Sequence, residues 1–443
     1  MKRFILFIAL VIIAVPFEAG AEDIIKKGES LNLERCIEIA LKMQPTISAA
    51  VSNVGVNESR VDEAKSNYYP QINWSASYNR ISGVSSRSRG LSATSGSSSA
   101  AGSIVGTSES FDSYDGSFGL NQLIYDFGKT SAQVKIQDLN LNSSRTDLEN
   151  VSEQVIVNVK QAYFGVLQAK RNRDVVTDTV KQFQQHLDQA KGFYEVGTKP
   201  KYDVIKAEAD LSNAQLNLIK AENAFKLAIV TLNNAMGIPE APEYILDDNL
   251  SFQKYPITFE EALDKAYKNR PDLMSAVARR QAAQKSIDLA ITGYYPVLTG
   301  TASYGWSGDK ISSLDHGWDV GAALSFPIFN GFLTKYQVQE SKASLNILKA
   351  NEESLRQTIF SDVQQAYLNL KQAEESIPTA DLGVKQAQEN FEIATGRYAA
   401  GVGNPIEVTD AEVLLANARL SYIQALYGYK VSQASIEKAM GMR

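Results

Sequence analysis

Residues 155–169 read VIVNVKQAYFGVLQA, and residues 359–373, 204 positions later, read IFSDVQQAYLNLKQA. In both segments apolar residues recur at alternating intervals of four and three, which is the spacing of a coiled-coil seam. The seam positions are Val155, Val159, Ala162, Val166 and Ala169 in the first segment and Ile359, Val363, Ala366, Leu370 and Ala373 in the second. The sequence therefore predicts the same helical packing surface twice.

The duplication extends over most of the chain, with two offsets. Tyr68-Tyr69-Pro70 returns as Tyr294-Tyr295-Pro296, an offset of 226, whereas Ala235-Met236-Gly237 returns as Ala439-Met440-Gly441, an offset of 204. One length difference of 22 residues, between positions 78 and 125, separates two otherwise colinear halves. Repeats of this size indicate one structural unit used twice, so any fold has to accommodate both copies.

Most of each half is predicted to be long helix. No proline interrupts the pattern between Gly128 and Gly192, so a continuous helix there would be roughly 95 Å long. The copy from Phe332 to Gly396 contains Pro378, which we expect to kink or loosen that helix.

Each long helix is followed by a reversal rich in glycine. The reversals span residues 192–200 and 396–405, and a second helix of about 36 residues returns from each. Pro45 and Pro271 fit the first turns of two shorter helices that precede the strands. The sequence thus predicts two αα-hairpins, here called the first and second hairpin.

Strict alternation of apolar and polar residues predicts four short β-strands. Their apolar positions are Ile72, Trp74, Ala76 and Tyr78; Tyr114, Gly116, Phe118, Leu120 and Ile124; Leu298, Gly300, Ala302 and Tyr304; and Trp318, Val320, Ala322, Leu324 and Ile328. Strands of about ten residues with aromatics near their ends are typical of a membrane β-barrel. The candidate membrane-interface aromatics are Trp74, Tyr78, Tyr304, Trp306 and Trp318. A soluble sheet with one buried face would show the same alternation.

Four strands cannot close a barrel. In lipid, an open sheet edge would leave backbone groups unsatisfied at a cost of several kcal/mol each. Closure therefore requires several chains, and three chains would give twelve strands, an even number within the range of such barrels. We expect an oligomer in contact with membrane lipid, and a homotrimer would satisfy this condition.

The N-terminus and the composition limit the class further. Residues 1–21 match a secretory signal peptide, with Lys2-Arg3, an apolar run and Ala19-Gly20-Ala21; an uncleaved anchor is the alternative. Without residues 1–21 the net charge is −7, against −6 for the whole chain. A negative net charge does not indicate a nucleic-acid-binding protein. Cys36 is the only cysteine, so no intrachain disulfide is expected, and we interpret it as a small buried helix residue.

Little in the chain suggests catalysis. It has two histidines, one cysteine, no glycine-rich phosphate loop and no cluster with metal-ligand spacing. His186 lies among glutamines in a predicted helix, and His316 begins a strand beside Trp318, so we expect both to be solvated or interfacial. We expect neither enzymatic activity nor a cofactor or metal.

The predicted organisation follows from these elements. Residues 82–110 are dominated by serine and glycine and are expected to form a mobile external loop that accounts for the 22 extra residues. The predicted segments are 1–21, signal peptide; 22–68, N-terminal segment and first short helices; 69–127, first strand pair with the loop; 128–237, first hairpin; 238–256, linker; 257–294, second short helices; 295–330, second strand pair; and 331–443, second hairpin.

In this arrangement the chain resembles the TolC family of outer-membrane efflux and secretion channels. The resemblance rests on the Tyr-Tyr-Pro elements, on Ile124-Tyr125-Asp126-Phe127-Gly128 and its copy Ile328-Phe329-Asn330-Gly331, and on the tips beginning at Tyr194 and Tyr398. It implies a mixed α/β membrane protein, mostly α, with a duplicated helix-strand-strand-helix unit. The coiled-coil hairpins would form an α-barrel, and four strands per chain would contribute to a trimeric 12-stranded β-barrel.

The resemblance also assigns residues at the hairpin tips. Glu407 and Asp410 match carboxylates that ring the periplasmic entrance, although acidic residues in a first helical turn also complement the helix dipole. Asp203 and Tyr398 match two partners of the family's gate latch, and a hydrogen bond between them is expected. Gly403 stands where the family has an arginine, with Arg397, Lys199 and Lys201 as nearby substitutes. The adaptor-docking residues would be Val196, Gly197, Thr198, Gly401 and Val402; the glycines also fit turns that need positive φ.

The function implied is the outer-membrane exit duct of a tripartite efflux pump or a type I secretion system in a Gram-negative bacterium. As a homotrimer in contact with outer-membrane lipid, it would have a periplasmic adaptor and an inner-membrane pump as partners. The alternative is a periplasmic coiled-coil adaptor or structural protein without a pore. Such a protein would share the tip glycines but would normally need one hairpin, and it has no use for strands bearing tryptophans.

Overall fold

The computed structural model describes residues 25–81 and 110–442. The predicted signal peptide and residues 82–109 of the predicted external loop lie outside the described residues. Of the described residues, one compact unit holds those up to Pro45 together with Val155–Tyr255 and Leu370–Ala434. The other holds Thr46–Gln154, Pro256–Asn369 and the residues after Ala434.

The order of elements is the same in both halves, two short helices, two strands and two long helices. In chain order the elements are β1 (Ser30–Leu31), α1 (Leu33–Met43), α2 (Pro45–Lys65), β2 (Gln71–Ile81), β3 (Phe111–Tyr125), α3 (Lys129–Glu195), α4 (Lys201–Met236), β4 (Ile245–Leu246), α5 (Phe259–Asn269), α6 (Pro271–Ile291), β5 (Val297–Gly308), β6 (Asp315–Ser325), α7 (Leu333–Ala399) and α8 (Pro405–Ala439). The mostly helical, duplicated architecture predicted from the sequence is confirmed.

The long helices follow the predicted pattern. Helices α3 and α7 have 67 residues each, and α7 contains Pro378 without being interrupted. The seam positions Val159 and Ile359 are fully buried, each within its own unit, as expected for coiled-coil packing. None of the described helices is both long and apolar enough to cross a membrane.

The returning helices end in the same way in both copies. Gly237 after α4 and Gly441 after α8 have φ of 77° and 66°, the left-handed conformation common at helix C-termini. A Cβ atom on Gly237 would lie 2.8 Å from the carbonyl oxygen of Met43, and one on Gly441 would lie 2.8 Å from the backbone nitrogen of Arg270. Both positions therefore need glycine for its conformation and for its size.

Four strands form one antiparallel sheet in the order β2-β3-β5-β6. Trp74 pairs with Phe118, Phe118 with Tyr304, and Tyr304 with Trp318, so these aromatics lie on one face of the sheet. The opposite face is polar, with Ser75 opposite Ser117 and Ser303 opposite Asp319 among its pairs. The predicted alternation is confirmed.

Two details of the strand prediction are wrong. Ile328 lies outside the sheet, because β6 ends at Ser325 and the following Pro327 has no N–H group for a ladder hydrogen bond. The strands are also not confined to the four predicted places. Strands β1 and β4 pair in parallel, Ser30 with Ile245 and Leu31 with Leu246. Two residues are too short to show a period in sequence.

The exits from the sheet into the long helices share an unusual backbone. Phe127 and Gly128 have φ of 54° and 91°, and Gly331 and Phe332 both have φ of 66°. The left-handed conformation is thus kept at matching positions although phenylalanine and glycine stand in opposite order. Asp126 accepts hydrogen bonds from the backbone nitrogens of Gly128 and Thr130 at 3.1 and 2.7 Å, which caps the start of α3.

Candidate functional site

Both hairpin tips turn at a glycine in the left-handed conformation. Gly197 and Gly401 have φ of 76° and 79°, and the following residues donate backbone hydrogen bonds back into the preceding helix, Thr198 to Phe193 at 2.9 Å and Val402 to Arg397 at 3.1 Å. A Cβ atom added at either glycine would meet nothing within 4 Å. The space beside each tip glycine is therefore open within the chain.

The predicted docking residues surround these glycines. Val196 and Val402 are 72% and 71% exposed, which is unusual for valine and leaves an apolar side chain on each tip. The structure thus brings an exposed valine and an open glycine together on each hairpin. Their role in binding an adaptor stays a prediction.

The two tips are tied to each other inside one compact unit. The Lys199 ammonium donates a hydrogen bond to the carbonyl oxygen of Gly403 at 3.4 Å and lies 5.5 Å from the centre of the Tyr398 ring. The Thr409 hydroxyl donates to Asp210 at 3.1 Å. Lys199, one of the substitutes expected for the missing arginine, therefore does link the hairpins.

The expected hydrogen bond between Asp203 and Tyr398 is not formed. Tyr398 is fully buried, with ring centres 5.0 Å from His186 and 5.6 Å from Phe193, and its hydroxyl has no hydrogen-bond partner among the described residues. Burial, and then the charge of nearby Asp203, raises the pKa of Tyr398. The prediction was wrong because the ring is held by aromatic contacts that the sequence spacing does not show.

Packing leaves no room for a side chain at position 403. The backbone N–H of Gly403 donates to the carbonyl of Arg397 at 2.9 Å, and a Cβ atom on Gly403 would lie 2.6 Å from the backbone nitrogen of Tyr398. An arginine cannot stand there without a backbone shift. Arg397 pairs instead with Glu407, Nε to Oε2 at 3.5 Å, and since both side chains are about half exposed the ion pair contributes little to stability.

The two candidate ring carboxylates lie early in α8. Asn404 caps this helix by accepting a hydrogen bond from the backbone nitrogen of Ile406 at 2.9 Å. Glu407 and Asp410, three residues apart, are both exposed, so they share one side of the helix. Both carboxylates are therefore accessible to solvent in the single chain, Glu407 beside Arg397, and their place in an entrance ring stays a prediction.

A buried polar cluster at the tips was missed by sequence reasoning. His186, expected to be solvated or interfacial, is only 7% exposed and contacts Tyr398, so that expectation was wrong. Glu412 is only 2% exposed. The sequence did indicate the burial of Glu412. This residue stands four residues after Val408 and three before Leu415, both buried, and so lies on the apolar stripe of α8.

The candidate interface aromatics lie on the sheet, at a distance in sequence from the tips. Trp74, Tyr78, Tyr304 and Trp318 are all about half exposed or more, and Trp318 is 77% exposed. Trp306 lies against Gly116, where a Cβ atom would be 2.5 Å from the indole. Within the described ranges no three metal-ligating side chains come together.

Comparison with known proteins identifies the class. The family profile described as outer membrane efflux protein matches residues 36–238 and 262–442. Outer membrane protein TolC of Escherichia coli (strain K12) is 26% identical over 435 residues, which is 94% of this chain and 83% of that protein. The pyoverdine export outer membrane protein OpmQ of Pseudomonas aeruginosa is 20% identical, over 92% of this chain and 85% of that protein.

Solved structures show the same fold. The open state of the outer membrane channel MtrE of Neisseria gonorrhoeae superposes with a TM-score of 0.75 at 19% identity, covering 93% of this chain and 89% of that one. The chain belongs to the outer membrane efflux protein family. This family consists of transport proteins of the bacterial outer membrane and not of enzymes, and the alternative of a periplasmic adaptor finds no support.

Proposed function

We propose that three copies of this chain form the outer-membrane exit duct of a tripartite efflux pump or a type I secretion system. Substrates would pass from an inner-membrane transporter and a periplasmic adaptor through the duct to the exterior of a Gram-negative cell. The observation that carries the proposal is the four-stranded sheet, which has one aromatic exposed face and one polar face. An aromatic face suits lipid, and a polar face suits a water-filled lumen.

The sheet edges support the trimer. Strands β2 and β6 are the two ends of the strand order, so each has one side without a partner strand among the described residues. Lipid does not tolerate such edges, and pairing β6 of one copy with β2 of the next would satisfy them. Three copies would give twelve strands.

The tips supply the entrance and the docking surface. In a trimer, Glu407 and Asp410 would place six carboxylates around the axis, which favours cations and raises the energy of anions. The open space at Gly197 and Gly401, beside exposed Val196 and Val402, would receive an apolar adaptor hairpin.

The test is extraction and conductance. The mature chain is expected to fractionate with the outer membrane, to purify in detergent with the mass of a trimer, and to conduct ions in a planar bilayer. A mature protein that is soluble without detergent, monomeric and non-conducting would refute the proposal. Crosslinking from photoreactive residues at Val196 or Val402 would identify the adaptor.

A further inference from the structure

A small cavity, lined by both apolar and polar side chains, lies between three helices near the tips. It has a volume of about 160 Å³. Its lining residues are Gln182, Phe183, Gln185, His186 and Gln189 of α3, Phe391 and Thr395 of α7, and Val408 and Glu412 of α8. All of them belong to one compact unit. The cavity therefore lies where the first hairpin meets the second.

No ion pair to Glu412 is seen in the part of the chain that the structure describes, although the charge of Arg419 acts on it from further along α8. The Gln182 amide lies within hydrogen-bond reach of both carboxyl oxygens, and when its nitrogen faces them it donates to both. Arg419 is one to two turns further along α8, but its guanidinium donates to Gln388 at 2.8 Å. A glutamine amide can donate to a carboxylate and also to the carbonyl oxygen of a carboxylic acid, so Gln182 can stay hydrogen-bonded to Glu412 in both forms.

We propose that this cavity is a proton-operated joint between the hairpins: a proton on Glu412 holds α8 against α3, and loss of the proton separates them. The inference rests on the proposed function, because α8 also carries Glu407 and Asp410. Any movement of α8 away from α3 would shift these two carboxylates and change the entrance. The joint would thus couple the proton concentration outside the inner membrane to the state of the duct.

The environment of the joint favours the uncharged form. Burial raises the pKa of Glu412 to about 7. The charge of Arg419 and a hydrogen bond from Thr179 lower the pKa, but by less than burial raises it. Burial also lowers the pKa of His186, which favours its neutral imidazole in the packed joint. The groups that face the histidine are Asp203, Lys206 and Asp210 of α4 and Tyr398 of α7.

Because the pKa of Glu412 is raised in the packed joint, the packed joint becomes less stable as the pH rises. Protonation stabilises the packed joint fully below the ordinary carboxyl pKa of 4.5, and this stabilisation is lost as the pH rises to about 7. If the separated joint restores the ordinary pKa, the ratio of packed to separated joints falls about 300-fold in total, and about tenfold between pH 6 and pH 8. Below the lowered pKa of His186, its protonation would oppose packing from the acid side.

The site is tested by infrared spectroscopy on the purified full chain. The wild type is expected to lose the band of a protonated carboxyl group with a midpoint near pH 7, and Glu412→Gln is expected to lack that band. Glu389→Gln, which removes an exposed glutamate from α7, is the matched control and should keep it. A wild-type spectrum without such a band would overturn the proposal, whatever the variants do.

The joint is tested by pulsed electron resonance between spin labels at positions 196 and 402, one on each tip. The distance distribution should shift to longer values between pH 6 and pH 8 in the wild type and in Glu389→Gln, and should stay short in Glu412→Gln. A distribution independent of pH in the wild type, or a shift retained in Glu412→Gln, would exclude a joint controlled by this carboxyl.

Conductance of the same preparations separates this inference from the proposed function. If none of them conducts at any pH, the channel proposal fails, and the spin labels still decide whether the joint exists. If they conduct, the open fraction of the wild type should rise through the same midpoint as the spin-label distance.

Discussion

The tip glycines allow the turn and docking roles to be separated by two substitutions. Gly401 needs a left-handed backbone but has open space around its missing Cβ. Alanine in that conformation costs roughly 1–2 kcal/mol, whereas asparagine tolerates it better despite a larger side chain. If Gly401 serves only the turn, export should therefore fall in the order glycine, asparagine, alanine. If it is open so that an adaptor can approach, the order should be glycine, alanine, asparagine.

The assay is dye accumulation in cells that carry Gly401→Ala, Gly401→Asn or the same changes at Gly197, at matched amounts of protein in the outer membrane. We expect the asparagine variants to export less than the alanine variants, although they unfold at a higher temperature. An asparagine variant that exports better than the alanine variant would refute a docking role for that glycine. Gly237→Ala is the control, since its Cβ would lie 2.8 Å from the carbonyl oxygen of Met43. It should lower the amount of folded protein without changing export per molecule.

Three further perturbations test other parts of the chain. Glu407→Gln combined with Asp410→Asn should lower cation preference and weaken block by multivalent cations; an unchanged reversal potential in a salt gradient would count against the ring. Gly403→Arg, which introduces the family's arginine, should destabilise the tip by about 1–3 kcal/mol through overpacking, detectable as faster proteolysis there. Asp126→Ala should cost about 1 kcal/mol in thermal unfolding through loss of a helix cap, whereas Asp126→Asn should cost less, since Asn330 stands at that place in the second copy.

The large-scale fold could be predicted because it depends on repeated patterns. Long helices need only a sustained period, and the strands need a strict alternation. The repeated segment at residues 155–169 and the glycine-rich reversals were therefore enough to locate the hairpins. The pair of β1 and β4 could not be predicted, because two residues joined over more than 200 positions leave no local signal. Ile328 was misassigned because the alternation continues past Pro327, which ends the ladder.

The backbone conformation of the hairpin tips was predicted correctly, but their side-chain contacts were predicted less well. The positive φ of Gly197 and Gly401 follows from their place in a reversal. The burial of His186 does not, because it arises from packing between helices far apart in the chain, and for Glu412 the only signal was its place on the apolar stripe of α8. Tyr398 was placed correctly at the tip, but a hydrogen-bond partner was assigned to it from resemblance while the structure gives it aromatic neighbours.

Cys36, the only cysteine of the chain, makes the protein convenient for site-directed labelling. It is fully buried in α1, and burial raises the pKa of its thiol to about 12. At neutral pH only about one such thiol in 100,000 is ionised, against roughly one in thirty for an ordinary cysteine. A thiol introduced at position 196 or 402 will therefore react with spin labels or crosslinkers far ahead of the native one. The hairpin tips can be followed without first replacing a residue of the core.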